Sequence, residues 1–226
     1  MKKVISPSVR RLTGGPFALT LRVPDPGIFH ELLKGDGDMA EDVIERFVSK
    51  YETLSGRAHL ADSEEAAAEA VLSVVHEAGG TRLAAAELPD ELMQALERRC
   101  AVAGVDLLKP PYDGSALPGA IDAAHVGVSW AEFAVAEAGA LVEFATNDAT
   151  RLVSTLPRIH LGIVRAEEIQ ESLMDAGPRI RAFMAAQPEN ATVTFISGPS
   201  RTADIEMRLT LGVHGPEMAH AVILDQ

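Results

Sequence analysis

From residue 38 onward the apolar positions change period repeatedly, and each change marks the end of one element. Met39, Val43, Ile44, Phe47, Val48 and Tyr51 recur at helical spacing and predict one amphipathic helix. Ala58 to Ala61 reads as a strand, followed by a helix opened by an Asp62/Glu65 capping box and closed at Gly79-Gly80. Arg82 to Ala86 is a second strand. Pro89-Asp90 starts a helix with Leu92, Ala95, Leu96 and Cys100 along one face, and Val105 to Leu108 is a third strand ended by Pro110-Pro111. Such alternation predicts βαβ units, hence a mainly parallel sheet flanked by helices.

Beyond residue 120 the elements shorten. Ala124 to Val128, Ala140 to Ala145 and Ile159 to Val164 read as strands, Trp130 to Ala136 as a helix capped by Ser129, and Arg151 to Leu156 as a short helix with Asp148 as its cap. Ala166 to Ala176 is predicted helical, with a second helix after Gly177-Pro178 reaching about Ala186. Three strands close the chain around two glycine-rich loops. Residues 1–37 differ: four prolines, a Gly35-Asp36-Gly37 break and one short apolar stretch, Phe17 to Val23, predict an extended N-terminal arm. Such an arm suits contact with a neighbouring subunit, so a homo-oligomer is one expectation, and residues 38–226 form a single α/β domain.

Charge narrows the partners. Lys and Arg number 20 against 33 acids, a net charge of −13, and the basic residues are scattered. Nucleic acid and anionic membranes are poor partners for such a surface. A single cysteine excludes an intramolecular disulfide and a cluster of iron and sulfur held by this chain alone. With no apolar run of the ~20 residues a membrane span needs, a cytoplasmic location is expected. The seven histidines form no H-E-x-x-H pair or zinc pattern, so no metal site is expected, and Walker, G-x-S-x-G and G-x-G-x-x-G motifs are absent.

The remaining chemistry lies at element ends. Ser197-Gly198-Pro199-Ser200-Arg201-Thr202-Ala203-Asp204 joins two apolar runs, Thr192 to Ile196 and Met207 to Leu211. A short helical turn there, capped by Ser200, Thr202 or Asp204, would point N–H groups outward to hold an anion. Ser197, Gly198, Ser200, Arg201 and Asp204 are therefore candidate anion-binding residues, weighed against a turn satisfied by its own side chains. His214, between Gly212 and Gly215, can titrate near neutrality or hydrogen-bond a carboxylate. Glu137, beside Gly139, either faces a cleft or bonds a turn. Arg151, in the first turn of its helix, opposes the helix dipole and calls for an anionic partner, Glu137, Asp204 or a ligand carboxylate, and Asn147 stands just before it. His160 is read as core or interface, and Cys100 as buried and inert.

In order along the chain, Gly127-Val128-Ser129-Trp130-Ala131-Glu132-Phe133-Ala134-Val135-Ala136-Glu137-Ala138-Gly139, Arg151-Leu152-Val153-Ser154-Thr155-Leu156-Pro157, the 197–206 loop and Gly212-Val213-His214-Gly215-Pro216 resemble the LUD domain family. The resemblance implies the α/β fold shared by sugar-phosphate isomerases and CoA transferases. It implies a part in bacterial oxidation of L-lactate to pyruvate beside iron-sulfur partner proteins. Ala149-Thr150 departs from relatives that carry Asn or Gly shortly before the arginine; Asn147 substitutes for that contact, or the contact is absent.

Three functions are compatible with these residues. In the first, a non-redox subunit of a lactate-oxidizing system holds a small carboxylate on Arg151 and the 197–204 loop, with His214 or Glu137 handling a proton, or supports assembly. The iron-sulfur clusters then belong to its partners, and this chain holds no cofactor. In the second, a stand-alone acyl- or CoA-transferase-like or isomerase-like enzyme uses Glu137 as nucleophile. In the third, a regulatory module binds a metabolite without turnover.

Overall fold

The computed structural model describes residues 38–187, 189–203 and 209–225. The expected arm at 1–37 lies outside them, as does Asp204. α1 (Asp38–Thr53) buries Ile44, Phe47 and Tyr51, the inner stripe of its apolar pattern. The chain then lays down β1 (Arg57–Ala61), α2 (Glu64–Glu77), β2 (Arg82–Ala85), α3 (Asp90–Ala103) and β3 (Asp106–Leu108). Ser63, not Asp62, caps α2, its hydroxyl accepting from the Ala66 N–H at 3.3 Å while Asp62 accepts from that hydroxyl. α4 (Gly119–Asp122) leads into β4 (Val126–Trp130), β5 (Phe133–Val135), β6 (Ala140–Ala145), α5 (Asp148–Thr155) and β7 (Ile159–Arg165). The chain continues through β8 (Ile169–Gln170), α6 (Leu173–Ala186), β9 (Thr192–Ile196), β10 (Arg201–Ala203), β11 (Leu209–Leu211) and β12 (Met218–Leu224).

Six strands make one wholly parallel sheet in the order β1-β12-β7-β4-β2-β3. Alternation along β7 divides its faces. Leu161 and Ile163 join Val71, Val75, Leu92, Leu96 and Cys100 in an apolar core under α2 and α3. His160 and Gly162 turn the other way. A Cβ on Gly162 would lie 2.5 Å from Leu141 Cδ1 of β6, and one on Gly127, the register partner of His160, 2.1 Å from the Val153 carbonyl of α5. That face is therefore covered by α5 and by a second sheet, β8-β5-β6-β9, in which β6 runs antiparallel to β5 and β9.

One expected helix is strand, and another begins later than expected. Trp130 to Ala136 passes from β4 directly into β5, with Ala131 N–H bonded to the Ile163 carbonyl and Glu132 N–H to that of Val142. Residues 133–136 are all buried, so the run carries no polar face to separate a period of two from 3.6. In 166–176 only Ala166–Glu168 form a 3-10 turn; Ile169–Gln170 pair with β5, and the helix starts at Leu173. The Ser172/Asp175 capping box sets that start, and α6 runs on through Pro178 without the expected break.

Because Val153's carbonyl occupies the place of a side chain, Gly127→Ala should cost about 1–3 kcal/mol in urea unfolding, the usual penalty of overpacking. Val102→Ala, at a position 90% exposed, should stay within about 0.5 kcal/mol.

Candidate functional site

The crossovers leave the parallel sheet in opposite directions at one place. After β2 the chain crosses under α3 to β3, whereas after β4 it leaves on the other face toward β7. Between two such strands an α/β sheet leaves a crevice at its carboxyl edge. A cleft of about 300 Å³ opens beside the end of β2, lined by Ala86 and Glu87, by Pro110, Pro111, Tyr112 and Leu117, and by residues 147–150 at the start of α5. Tyr112 is fixed as a wall because its hydroxyl lies 2.7 Å from the Ala85 carbonyl and 3.0 Å from that of Leu108. Burial pushes that phenol up to about 12.

Asn147 reaches this cleft, and it, rather than Asp148, is the cap of α5. Its Oδ1 accepts from the Thr150 N–H at 2.9 Å and lies 3.2 Å from the Thr150 hydroxyl. Asp148 pairs instead with Arg151 at 2.6 Å. The rest of the Arg151 guanidinium is spent on the start of β9: Nε donates to Thr192 Oγ1 at 3.0 Å, and Nη2 to Asn190 Oδ1 at 2.9 Å and to the Asn190 carbonyl. The anionic partner this arginine calls for is thus Asp148, and the side chain acts as a strut between α5 and β9.

The two glycine-rich loops are stitched into one unit. Ser200 N–H donates to the Pro216 carbonyl (2.8 Å), Gly212 N–H to the Ser200 carbonyl (3.0 Å), and His214 N–H to Ser200 Oγ (3.2 Å). His214 and Ser197 are exposed. Gly198, at φ +109°, passes so close to the turn after α1 that a Cβ would lie 2.5 Å from the Leu54 carbonyl. The helical turn expected after Ser200 is instead strand β10, Arg201 pairing with Leu211, so its N–H groups do not converge on an anion as a helix start would.

Glu137 serves a helix end: Oε1 accepts the first N–H of α6, that of Leu173, at 2.7 Å. Antiparallel pairing of β6 with β9 sets Leu141 opposite Ile196 and Ala145 opposite Thr192. The Glu137 turn and the loop bearing Ser197, Gly198, Ser200 and His214 therefore share one end of these strands, while Asn147 and Arg151 hold the other. At the rise of a strand the two ends are more than about 10 Å apart. The candidate residues form two groups, not one.

Sequence reasoning did not single out Glu143 or Ser154, and it read Ser129 as a cap. Glu143 of β6 is 1% exposed, and its Oε1 accepts from the Ser154 hydroxyl at 3.0 Å. Ser129, inside β4, lies 2.9 Å from His160 Nε2. The one available signal was a glutamate in the middle of an apolar strand, Ala140 to Ala145. On the opposite face of the parallel sheet His59 and His220 stack 7° from parallel, with His59 Nε2 2.9 Å from His220 Nδ1. Burial pushes His160 down to about 4, and burial together with neighbouring His59 pushes His220 to about 3. Among the described residues no group of His, Cys, Asp and Glu is placed to hold a metal ion. No described helix is long and apolar enough to cross a membrane.

A parallel six-stranded sheet with a smaller mixed sheet on one face places the chain among α/β proteins of a fold already seen in a crystal structure of a DUF162 family protein from Deinococcus radiodurans. The two superpose with a TM-score of 0.58 over 83% of this chain and 99% of the other, at 16% identity. The LUD domain matches residues 44–224, and the chain belongs to that family. Lactate utilization protein C of Shouchella clausii is 36% identical over 102 residues, 45% of this chain and 44% of that protein. The Bacillus subtilis protein of the same name is 37% identical over 103 residues, 45% of this chain and 43% of that protein. These matches span less than half the length of each relative.

Two outcomes follow from the geometry. Arg151→Ala, which leaves Asp148 and the 190–192 turn without their donor, should lower stability by about 1–3 kcal/mol in thermal or urea unfolding. Acidification should also destabilise the fold. His59, His160 and His220 all have lowered values, so below about 6.5 the unfolded chain binds protons that the folded chain refuses. The stability they contribute, full above that pH, is lost as pH falls toward 4 and 3. Glu143 titrates in the opposite sense, one group against three, so the urea midpoint should fall between pH 6.5 and 4.5.

Proposed function

We propose that this chain is a non-redox subunit of a bacterial L-lactate oxidation system, working with iron-sulfur partner proteins and binding a small carboxylate. The observation that carries the reading is the cleft at the diverging carboxyl ends of β2 and β4, in a chain similar over some 102 residues to lactate utilization protein C. The start of α5 presents its dipole to that cleft, Asn147 fixes the helix there, and Arg151 offsets the charge of Asp148. One cysteine, buried on α3, offers too few thiolates for an iron–sulfur cluster, so electrons leave lactate through the partners.

Affinity capture of the tagged chain from lactate-grown cells should bring down cysteine-rich, iron-containing proteins; recovery of the chain alone and free of iron would overturn the subunit role. In calorimetric titration with L-lactate, Asn147→Ala should weaken binding about five- to tenfold, the worth of a helix cap. Ser200→Ala, at the far end of β9, should leave it unchanged. The reverse result would move the carboxylate to the Ser200–His214 loop.

A further inference from the structure

The second sheet ends on one side in β9, and among the described residues no strand lies beyond it. Its five residues keep an unbroken register with β6, and none of their backbone groups is bonded to any other described residue. The N–H and C=O groups that alternate away from β6 therefore form an open row. The other edges of the two large sheets are guarded: β8 has two residues, β3 has three with Asp106 among them, and β1 carries Arg57. β9, Thr192-Val193-Thr194-Phe195-Ile196, has no charge, no proline and no bulge.

An apolar groove follows this edge. Val193 and Phe195 point to the face of the second sheet that α6 covers, since their register partners there are Phe144 and Val142. α6 sits over β5 and β6: Ala176 is buried against Phe133, Val135 and Val142, Phe183 stacks on Phe144, and Arg179 reaches the Phe133 ring and the Glu132 carbonyl on the β5 side. Helical spacing puts Leu173, Gly177, Ile180 and Met184 on the opposite flank, toward β9. Glu137 holds the Leu173 end of the helix at the Phe195 end of β9, and Phe183 sets the Met184 end beside Val193. Leu173, Met184 and Phe195 are 47%, 45% and 44% exposed, so an apolar flank and an open strand edge lie side by side. Neither the strand nor this stripe of α6 carries a charge, in a chain whose net charge is −13.

We propose that β9 is an interface with a second copy of this chain, the two β9 strands pairing antiparallel about a two-fold axis at Thr194. Only an extended strand meets the open row of backbone groups, and this strand is its own complement. The axis sets Thr194 opposite the partner's Thr194, Val193 opposite the partner's Phe195 and Thr192 opposite the partner's Ile196, so every pair joins residues of one face. Each Phe195 then stands across from a valine, a favoured cross-strand pair, and enters the partner's groove at its Met184 end. Charge favours the same occupant, because two acidic chains repel over most of their surfaces and meet at least cost where neither carries an acid. The edge is also held ready: Arg151, reaching from α5, fixes Thr192 and Asn190.

Sedimentation velocity of the full chain at micromolar concentration should give the mass of two chains. Phe195→Lys, which puts a charge into both grooves, should shift it to the mass of one with an unaltered circular dichroism spectrum. Met174→Lys, exposed on the side of α6 turned from the sheet, should leave the dimer intact. Register is read separately. Under oxidising conditions Thr194→Cys should be trapped as a disulfide-linked dimer, because directly opposed residues bring their Cα atoms to about 4.5–5.5 Å. Val193→Cys should not be trapped, since its counterpart lies more than about 7 Å away. Cys100 is buried and leaves the unaltered chain without a link. If Phe195→Lys does not fold, the two cysteine variants decide the pairing. A chain that sediments at the mass of one overturns the proposal and leaves the edge to an extended segment of another protein. A dimer that survives Phe195→Lys, or that Thr194→Cys fails to trap, overturns it as well. None of these readouts uses L-lactate or iron-containing proteins, so the interface is judged apart from the function proposed above.

Discussion

Gly127 holds the rest of the structure to its arrangement. α5 lies so close to β4 that the Val153 carbonyl takes the space of a side chain. A helix at that distance cannot be separated from the sheet by an ordinary apolar layer, and the residues around it are small or polar accordingly: Ser129, Ser154, His160 and Gly162. The first turn of the same helix forms one wall of the cleft, so its depth and tilt are set from beneath, by a glycine on a buried strand. The apolar face under α2 and α3 has no such constraint, because there Val, Leu and Ala of α2 and α3 meet Leu161, Ile163 and Val222 in ordinary close packing.

A polar layer between two sheets carries a cost that an apolar one does not. Glu143, Ser129, Ser154 and His160 are each at most 4% exposed, and each must find its partner inside the protein. Ser129 of β4 meets His160 of the neighbouring strand β7, whereas Ser154 of α5 bonds Glu143 of β6, so the second bond forms only when α5 and the second sheet have docked together. Packing alone would tolerate a small slide of α5 along β4. The bond from Ser154 to Glu143 of the second sheet constrains the rotation of α5 as well as its distance.

The parallel sheet and the helices on its apolar face were legible because their patterns are local. Strands of three to seven residues are punctuated by Gly79-Gly80, Pro89-Asp90 and Pro110-Pro111, and Leu92, Ala95, Leu96 and Cys100 mark the buried stripe of α3. The second sheet was not legible at β5 and β8. Phe133, Ala134 and Val135 are covered on both sides, which erases the alternation that separates strand from helix. Two-residue β8 exists only through its pairing with β5, a partner more than 30 residues away in sequence. The caps were misplaced by one residue, Ser63 for Asp62 and Asn147 for Asp148, since any of these side chains can cap and only backbone geometry chooses.

The candidate site was legible as residue types but not as places. Each of Asn147, Arg151, Glu137, Ser200 and His214 does sit at an element end, where the sequence put it. What the sequence could not show is that β6 and β9 lie antiparallel, so that two stretches read as partners are held at opposite ends of one ladder. Arg151 illustrates the consequence. A cation in the first turn of a helix needs an anion, and a ligand carboxylate or Asp148 satisfies the dipole argument equally well. The fold chooses Asp148 because Thr192 and Asn190 take the remaining donors and fix the guanidinium beside it. The arginine's charge is then spent on Asp148 and on the join between α5 and β9, and none of its donors is left over for the cleft.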